Sequence, residues 1–309
     1  MKIFSDISQL PAFKNPVVSI GSFDGVHLGH REILNVMTIK ANEIDGETVL
    51  LTFWPHPRMV LQPNDNGLKL LNTIEEKIEI LENYGLDNLV ILPFTEEFSK
   101  MDYRLFIEEI LVKKINVKTL VIGHDHHFGK NREGNFEQLE AFAPVFHFDL
   151  IQVDAIQLQS DPLSSSMIRK ALENGETVFA NEILGYPYSV TGIVVEGKKR
   201  GRELGYPTAN IQIPEKFKLL PADGIYVVEV IYDGKTYKGM ASLGHNPTFG
   251  DTDKTLEVNI FNFNKQIYNE KITVKFLLFL RKEVKFASKE ELVQQLEADK
   301  RDTLFFFHT

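Results

Sequence analysis

Gly21-Ser-Phe-Asp-Gly-Val-His-Leu-Gly-His30 is the stretch on which the reading of this chain turns. It follows Pro16-Val-Val-Ser-Ile20, a short apolar run that reads as a buried strand. It leads into residues 28–41, whose apolar spacing predicts a helix. Glycines let backbone approach a phosphate closely, because no Cβ stands in the way. A helix start offers the same anion unpaired N–H groups and a partial positive charge. His27 and His30 are three apart and share one face of the first turn. Both imidazoles can therefore serve the same phosphate oxygens. Stabilising charge in this way is the main contribution open to a protein in phosphoryl chemistry. His27 and His30 are the catalytic candidates of this loop, and Gly21, Phe23 and Asp24 its binding candidates. The plainer alternative is a glycine turn followed by two surface histidines. A zinc site is disfavoured, since no carboxylate or third histidine sits at ligand spacing nearby.

Working outward, residues 48–53, 88–92 and 119–122 are further apolar strands. Helical patterns at 73–83 and 103–113 separate them, the first opened by Thr73 as N-cap with Glu76 in capping-box position. Such alternation predicts a parallel sheet covered on both faces, with ligands at the carboxyl ends of its strands. From residue 186 the pattern changes to strands: 189–195, 224–232, 235–243, 256–261 and 272–280. Asp233-Gly234 suits a tight primed hairpin turn. Clustered antiparallel strands predict a small barrel or sandwich, and residues 288–298, capped by Ser288, a helix closing it. The switch near 181–184 sets the expected domains at 1–183 and 184–309. No internal repeat or low-complexity linker interrupts the chain.

A length of 309 residues suits two cores. A net charge of −9 argues against a nucleic-acid or acidic-membrane binder, yet local Lys and Arg can still hold an anionic small molecule. The absence of cysteine excludes disulfides, thiolate metal sites and cysteine nucleophiles. The amino-terminal segment lacks the apolar core of a signal peptide, and no apolar run is long enough to span a membrane. The expected setting is cytoplasmic, with self-association left open.

Two further segments carry chemistry. Ser164-Ser-Ser166 followed by Arg169 puts hydroxyls ahead of a guanidinium at an expected helix start, a combination suited to β- and γ-phosphates or, more plainly, to a serine N-cap. Gly197-Lys-Lys-Arg-Gly-Arg-Glu-Leu-Gly-Tyr-Pro-Thr-Ala-Asn210 concentrates glycine and positive charge in an acidic chain. It is not a Walker A loop, because no Gly-Lys-Ser/Thr closes it. Thr208 and Asn210, two apart in an extended segment, face the same way and offer hard oxygen ligands suited to Mg²⁺. A charged, solvated hairpin is the alternative for this run.

Asp24-Gly-Val-His-Leu-Gly-His30, Phe53-Trp-Pro-His-Pro57, Gly123-His-Asp-His-His-Phe-Gly129 and Leu163-Ser-Ser-Ser-Met-Ile-Arg169 together resemble the signature segments of the bacterial bifunctional riboflavin kinase/FMN adenylyltransferase (FAD synthetase) family. Arg200-Gly-Arg-Glu-Leu-Gly-Tyr-Pro-Thr-Ala-Asn210, Gly244-His-Asn-Pro-Thr-Phe249 and Leu256-Glu-Val-Asn-Ile260 resemble its kinase half. The resemblance implies a Rossmann-like nucleotidyltransferase domain joined to an antiparallel β-barrel riboflavin kinase domain. The first would join ATP and FMN into FAD and pyrophosphate; the second would phosphorylate riboflavin to FMN with ATP and Mg²⁺. It further implies that Asp125 and Phe128 face the flavin, with Lys130 and Arg132 near its phosphate. Ser164, Ser165 and Arg169 would hold the ATP phosphates in the first domain. Gly201 and Arg202 would bind ATP in the second, where Thr208 and Asn210 hold the magnesium and Glu257 is the base. The family more often has an aromatic at position 126, a basic or polar residue at 127 and a histidine at 259; here stand His126, His127 and Asn259. Three neighbouring histidines also suit a metal, although loop histidines are more often packed or solvent-facing. A flavin sensor, or an enzyme with one active module, is the competing reading; transfer groups in both halves favour catalysis by both.

Overall fold

Four consecutive buried residues, Val17–Ile20, form the strand from which the Gly21–Val26 loop springs. The computed structural model describes residues 1–309 except 63–66, 125, 159–160, 198–200, 202–203, 246–253 and 309, and it leaves the side chains of Arg132, Leu158 and His245 undescribed. The first part runs β1 (Lys2–Phe4), β2 (Val17–Ile20), α1 (Leu28–Glu43), β3 (Thr48–Trp54), α2 (Pro57–Leu61), α3 (Ile74–Asn83), β4 (Asn88–Pro93) and α4 (Glu96–Ser99). There follow α5 (Tyr103–Leu105), which runs on as a π-helical stretch Phe106–Lys114, then β5 (Thr119–Gly123), α6 (Phe136–Phe146) and β6 (Asp149–Val153). A short antiparallel ribbon, β7 (Gln157–Leu158) with β8 (Asp161–Pro162), ends this part.

The sheet order is β1-β4-β3-β2-β5-β6, with every pair parallel. Successive residues of a strand point to opposite faces, and both faces are apolar. Val18, Leu51, Val90 and Leu120 pack on one side with Ile107 and Leu111 of the π-helical stretch. Val17, Leu50, Leu89 and Val121 pack on the other with Leu34 and Met37 of α1 and Leu81 of α3. The expected capping box is present: the Glu76 N–H donates to Thr73 Oγ1 at 3.2 Å, and the Thr73 N–H donates to Glu76 Oε2 at 3.0 Å.

The second part comprises α7 (Ser165–Glu173), α8 (Thr177–Leu184), β9 (Ser189–Val195), β10 (Ala209–Gln212), β11 (Gly224–Tyr232), β12 (Lys235–His245), β13 (Lys254–Ile260), β14 (Lys271–Arg281) and α9 (Lys289–Phe306). The strands close into an antiparallel barrel in the order β10-β13-β12-β11-β14-β9. Between β11 and β12 the turn residues Asp233 and Gly234 have φ of 49° and 68°, the left-handed pair a primed turn demands. Ser288 caps α9 as expected, but the helix continues well past residue 298. Asp299 and Thr303 point inward there, so apolar spacing could not reveal the last turns. Arg281 on β14 donates to both Asp299 oxygens, at 2.8 and 2.6 Å, and fastens α9 to the barrel.

By compactness the chain divides into Met1–Ser164 and Ser165–Thr309. The strand pattern begins later, near 184, because α7 and α8 are helical yet pack on the barrel. Asn181 donates to the Phe276 carbonyl on β14 at 2.8 Å and accepts from the Tyr188 N–H at 2.7 Å.

The capping box gives a first prediction. Thr73→Ala leaves the buried Glu76 N–H unpaired at the start of α3 and should cost about 1 kcal/mol. Urea unfolding followed by the fluorescence of Trp54, the chain's single tryptophan, reads this unit directly. An unchanged midpoint would contradict it.

Candidate active sites

The chain leaves β2, winds outward through β3 and β4, and crosses back to β5, so β2 and β5 lie side by side. Loops following two such strands diverge and open a crevice at their carboxyl ends. The loop after β2 is Gly21–Val26 in sequence, and the loop after β5 begins at His124.

Phe23, Gly25 and Val26 all have positive φ, at 47°, 86° and 36°. Two of these are not glycine, so the surroundings must hold the loop in a costly path. Asp24, only 2% exposed, accepts from the Leu71 N–H at 3.0 Å and the Asn72 N–H at 3.3 Å. The Gly25 N–H donates to Asn72 Oδ1 at 2.8 Å. The loop delivers His27 as the N-cap of α1, with the Arg31 N–H donating back to its carbonyl at 3.0 Å. His27 and His30 are brought together as expected, their rings stacked with centroids 3.8 Å apart. Phe23 stacks on the other face of His30 at 4.5 Å, giving a column of three rings. The His30 Nδ1 is buried and has no hydrogen-bond partner among the described residues. Burial first, then the neighbouring His27 and Lys77, pushes the His30 imidazolium well below the ordinary histidine range.

Lys77 is the residue of this site that spacing did not flag. It sits on the first turn of α3, is 2% exposed, and donates to the Ser22 carbonyl at 2.6 Å. Burial pulls its ammonium down to about 8, opposed by the nearby Asp24 carboxylate. Its signal in the sequence is faint: it stands four residues before Leu81, on the buried face of a helix otherwise read as amphipathic.

In the loop after β5, the Phe128 and Gly134 backbones pair through N–H···O bonds of 3.0 and 2.9 Å. The Phe128 ring is buried in the core beside Phe106, and His126 stacks on it with centroids 5.7 Å apart. His124 and His127 are exposed. Among the described residues no cluster of three or more His, Asp or Glu could hold a metal ion. Asp125 lies outside the described residues, as does the side chain of Arg132. Ser165 and Arg169 fall on α7, preceded by Ser164, and all three are half-buried.

On the barrel, Asn210 of β10 pairs in register with Glu257 of β13. The Thr208 hydroxyl donates to Glu257 Oε2 at 3.1 Å. These three expected residues are therefore brought to one place. Gly197 lies so close to the Asn210 amide that a side chain at 197 would collide with it. The Gly201 carbonyl accepts from the Leu204 and Tyr206 N–H groups at 3.1 and 2.8 Å, turning the chain toward Pro207. Arg202 lies outside the described residues, and so does most of the 244–249 segment. Asn259, two residues after Glu257, donates to the Pro207 carbonyl at 2.7 Å. Lys300 of α9 stands over the Tyr206 and Phe261 rings, at 5.9 and 5.8 Å.

The family model for FAD synthetase matches residues 10–167, and that for riboflavin kinase matches residues 184–307. A bifunctional riboflavin kinase/FMN adenylyltransferase from Listeria monocytogenes is 40% identical over 294 residues, spanning 95% of this chain and 93% of that protein. One from Bacillus subtilis is 34% identical, spanning 94% of this chain and 92% of that protein. A crystal structure described as a macrolide-efflux protein from Streptococcus pneumoniae superimposes with a TM-score of 0.89 at 34% identity, covering 97% of each chain. Among the described residues no helix is long and apolar enough to cross a membrane. Matched in both halves and nearly end to end, the chain belongs to the bifunctional riboflavin kinase/FMN adenylyltransferase family.

Proposed function

We propose that this chain makes FMN from riboflavin on its barrel and FAD from FMN on its parallel-sheet unit, in a cytoplasmic setting, with ATP as donor in both steps. The observation that carries this reading is the meeting, in each unit, of groups suited to phosphoryl chemistry. One set is the His27–His30 pair at a helix start; the other is Thr208 and Glu257 beside Asn210.

For FAD formation, a phosphate oxygen of FMN attacks the α-phosphorus of ATP. A new P–O bond forms, the α–β bridge breaks, and pyrophosphate departs. His27, His30 and the first N–H groups of α1 would stabilise the negative charge that builds on these oxygens. The flavin ring is assigned to the loop after β5, against the stacked His126 and Phe128 and with Asp125.

For FMN formation, the ribityl 5′-hydroxyl attacks the γ-phosphorus, its proton passes to Glu257, and ADP leaves. Thr208 occupies one carboxylate oxygen of Glu257, and the other is the proposed proton acceptor. Because the Thr208 O–H points at Glu257, a lone pair is what this hydroxyl can offer a cation. With the Asn210 amide oxygen it forms a hard donor set that fits Mg²⁺. That ion, when bound with ATP, would neutralise phosphate charge. Gly201 and Arg202 would approach the same nucleotide, and Asn259 holds the strand that presents Thr208.

Two variants test the division of labour. Glu257→Gln should abolish FMN formation from riboflavin while FAD still forms from supplied FMN, and His30→Ala should do the reverse. Chromatography of the products reads both, and loss of both activities in either variant would refute separable sites.

His30 also gives a pH prediction. Its folded-state pKa is lowered, so below about pH 6.5 an unfolded histidine takes up a proton that the folded one refuses. Stability contributed by neutral His30 is therefore present above that range and lost as pH falls through it. Between about pH 7.5 and about pH 5.5, His30→Gln should lose less urea stability than wild type, measured by Trp54 fluorescence. Equal losses would contradict the assignment.

A further inference from the structure

The start of α3 grips the Gly21–Val26 loop at three points. Asp24 accepts from the Leu71 and Asn72 N–H groups, Asn72 Oδ1 accepts from the Gly25 N–H, and Lys77 Nζ donates to the Ser22 carbonyl. The first two grips are neutral donors, meeting the buried Asp24 carboxylate and the Asn72 amide oxygen. The third uses a charged amine almost entirely removed from water, on a carbonyl that a second donor, Thr52 Oγ1, already reaches at 3.3 Å. An apolar side chain at 77 would pack on this face at far lower desolvation cost. A hydrogen bond to Ser22 alone therefore does not account for an ammonium at this position, whose counter-charge is the buried Asp24 carboxylate of the same loop.

We propose that Lys77 is a positioning residue of the FAD-forming site, holding the Ser22–Phe23 peptide in the orientation that nucleotide transfer requires and adding a fixed positive charge beneath the histidine pair. In a trans peptide the C=O and the following N–H point in opposite directions. With the Ser22 carbonyl drawn toward Lys77, the Phe23 N–H is turned away from α3. That N–H donates to no group among the described residues. Phe23, next in the chain, opens the left-handed path and stacks on His30, so a rotated peptide would disturb the ring column as well. The charged and titratable groups facing Lys77 are Asp24, which favours its ammonium, and His30 with its partner His27, whose protonation the ammonium opposes. An ATP polyphosphate at the loop would meet His30, held from protonation, backed by a buried cation.

The inference rests on the first unit being the FAD-forming site, and the barrel supplies an internal control. In the full-length protein, Lys77→Met should lower kcat for FAD formation from FMN and MgATP by about tenfold or more, the scale of losing one aligned donor to a transition state. KM for FMN should change little, and riboflavin phosphorylation in the same preparation should stay at the wild-type rate. Lys77→Gln keeps a donor without the charge and should fall between the two, which also covers the case of a Met variant that folds poorly by Trp54 fluorescence. Wild-type kcat/KM for ATP should decline as pH rises through about 8, and that decline should be missing in Lys77→Met. Wild-type rates and an unaltered alkaline limb in both variants would overturn the role of Lys77. A wild-type protein that makes no FAD, or whose FAD formation survives His30→Ala, would instead sink the site reading beneath it.

Discussion

The pairing of Val17 with Thr119 joins two strands far apart in sequence, and the rest of the first unit depends on it. Once β2 and β5 lie side by side in a parallel sheet, their following loops must part, and the parting makes the crevice. Everything proposed for that unit follows from this constraint. The glycine-containing loop sits at one lip, the histidine-rich loop at the other, and α1 starts with its N–H groups at the first.

The same logic of support beneath a site appears on the barrel in another form. There the register of β10 and β13 sets Asn210 against Glu257, and ladder hydrogen bonds alone fix that spacing. Thr208 lies one residue before β10, where the ladder no longer constrains it. Its position is secured by side chains, through its own bond to Glu257 and through Asn259 on the Pro207 carbonyl. An amide does here what backbone pairing does two residues further on.

Much of the architecture was legible because it is written in periodicity. Parallel strands as continuous apolar runs, antiparallel strands around Asp233-Gly234, and helices opened by Thr73 and Ser288 all follow from local rules. Part of what periodicity missed comes from buried polar groups. The end of α9 was cut short because Asp299 and Thr303 read as surface residues until Arg281 is seen against them. α7 and α8 pack on the barrel through partners such as Asn181, which carry no apolar signal. Lys77 and Asn72 were invisible for the same reason, since a lysine on a helix is ordinarily solvated and nothing local says that Ser22 waits beneath it. His27 and His30 stand out by their place at a helix start and Thr208 and Asn210 by their spacing, whereas Glu257 is reached only through the family resemblance; Asp125 and Arg202 fall outside the described residues.

The column of Phe23, His30 and His27 has a consequence of a different kind. Aromatic rings stacked face to face shield the nuclei that lie above and below them, and His30 is shielded from both sides. Its ring protons should therefore resonate far from those of the exposed histidines of the chain, such as His124 and His127. A molecule that tilts any one ring alters the magnetic surroundings of the other two. The loop thus carries its own spectroscopic label, in which the arrival of a nucleotide and the path of the backbone that receives it are written in the same few resonances.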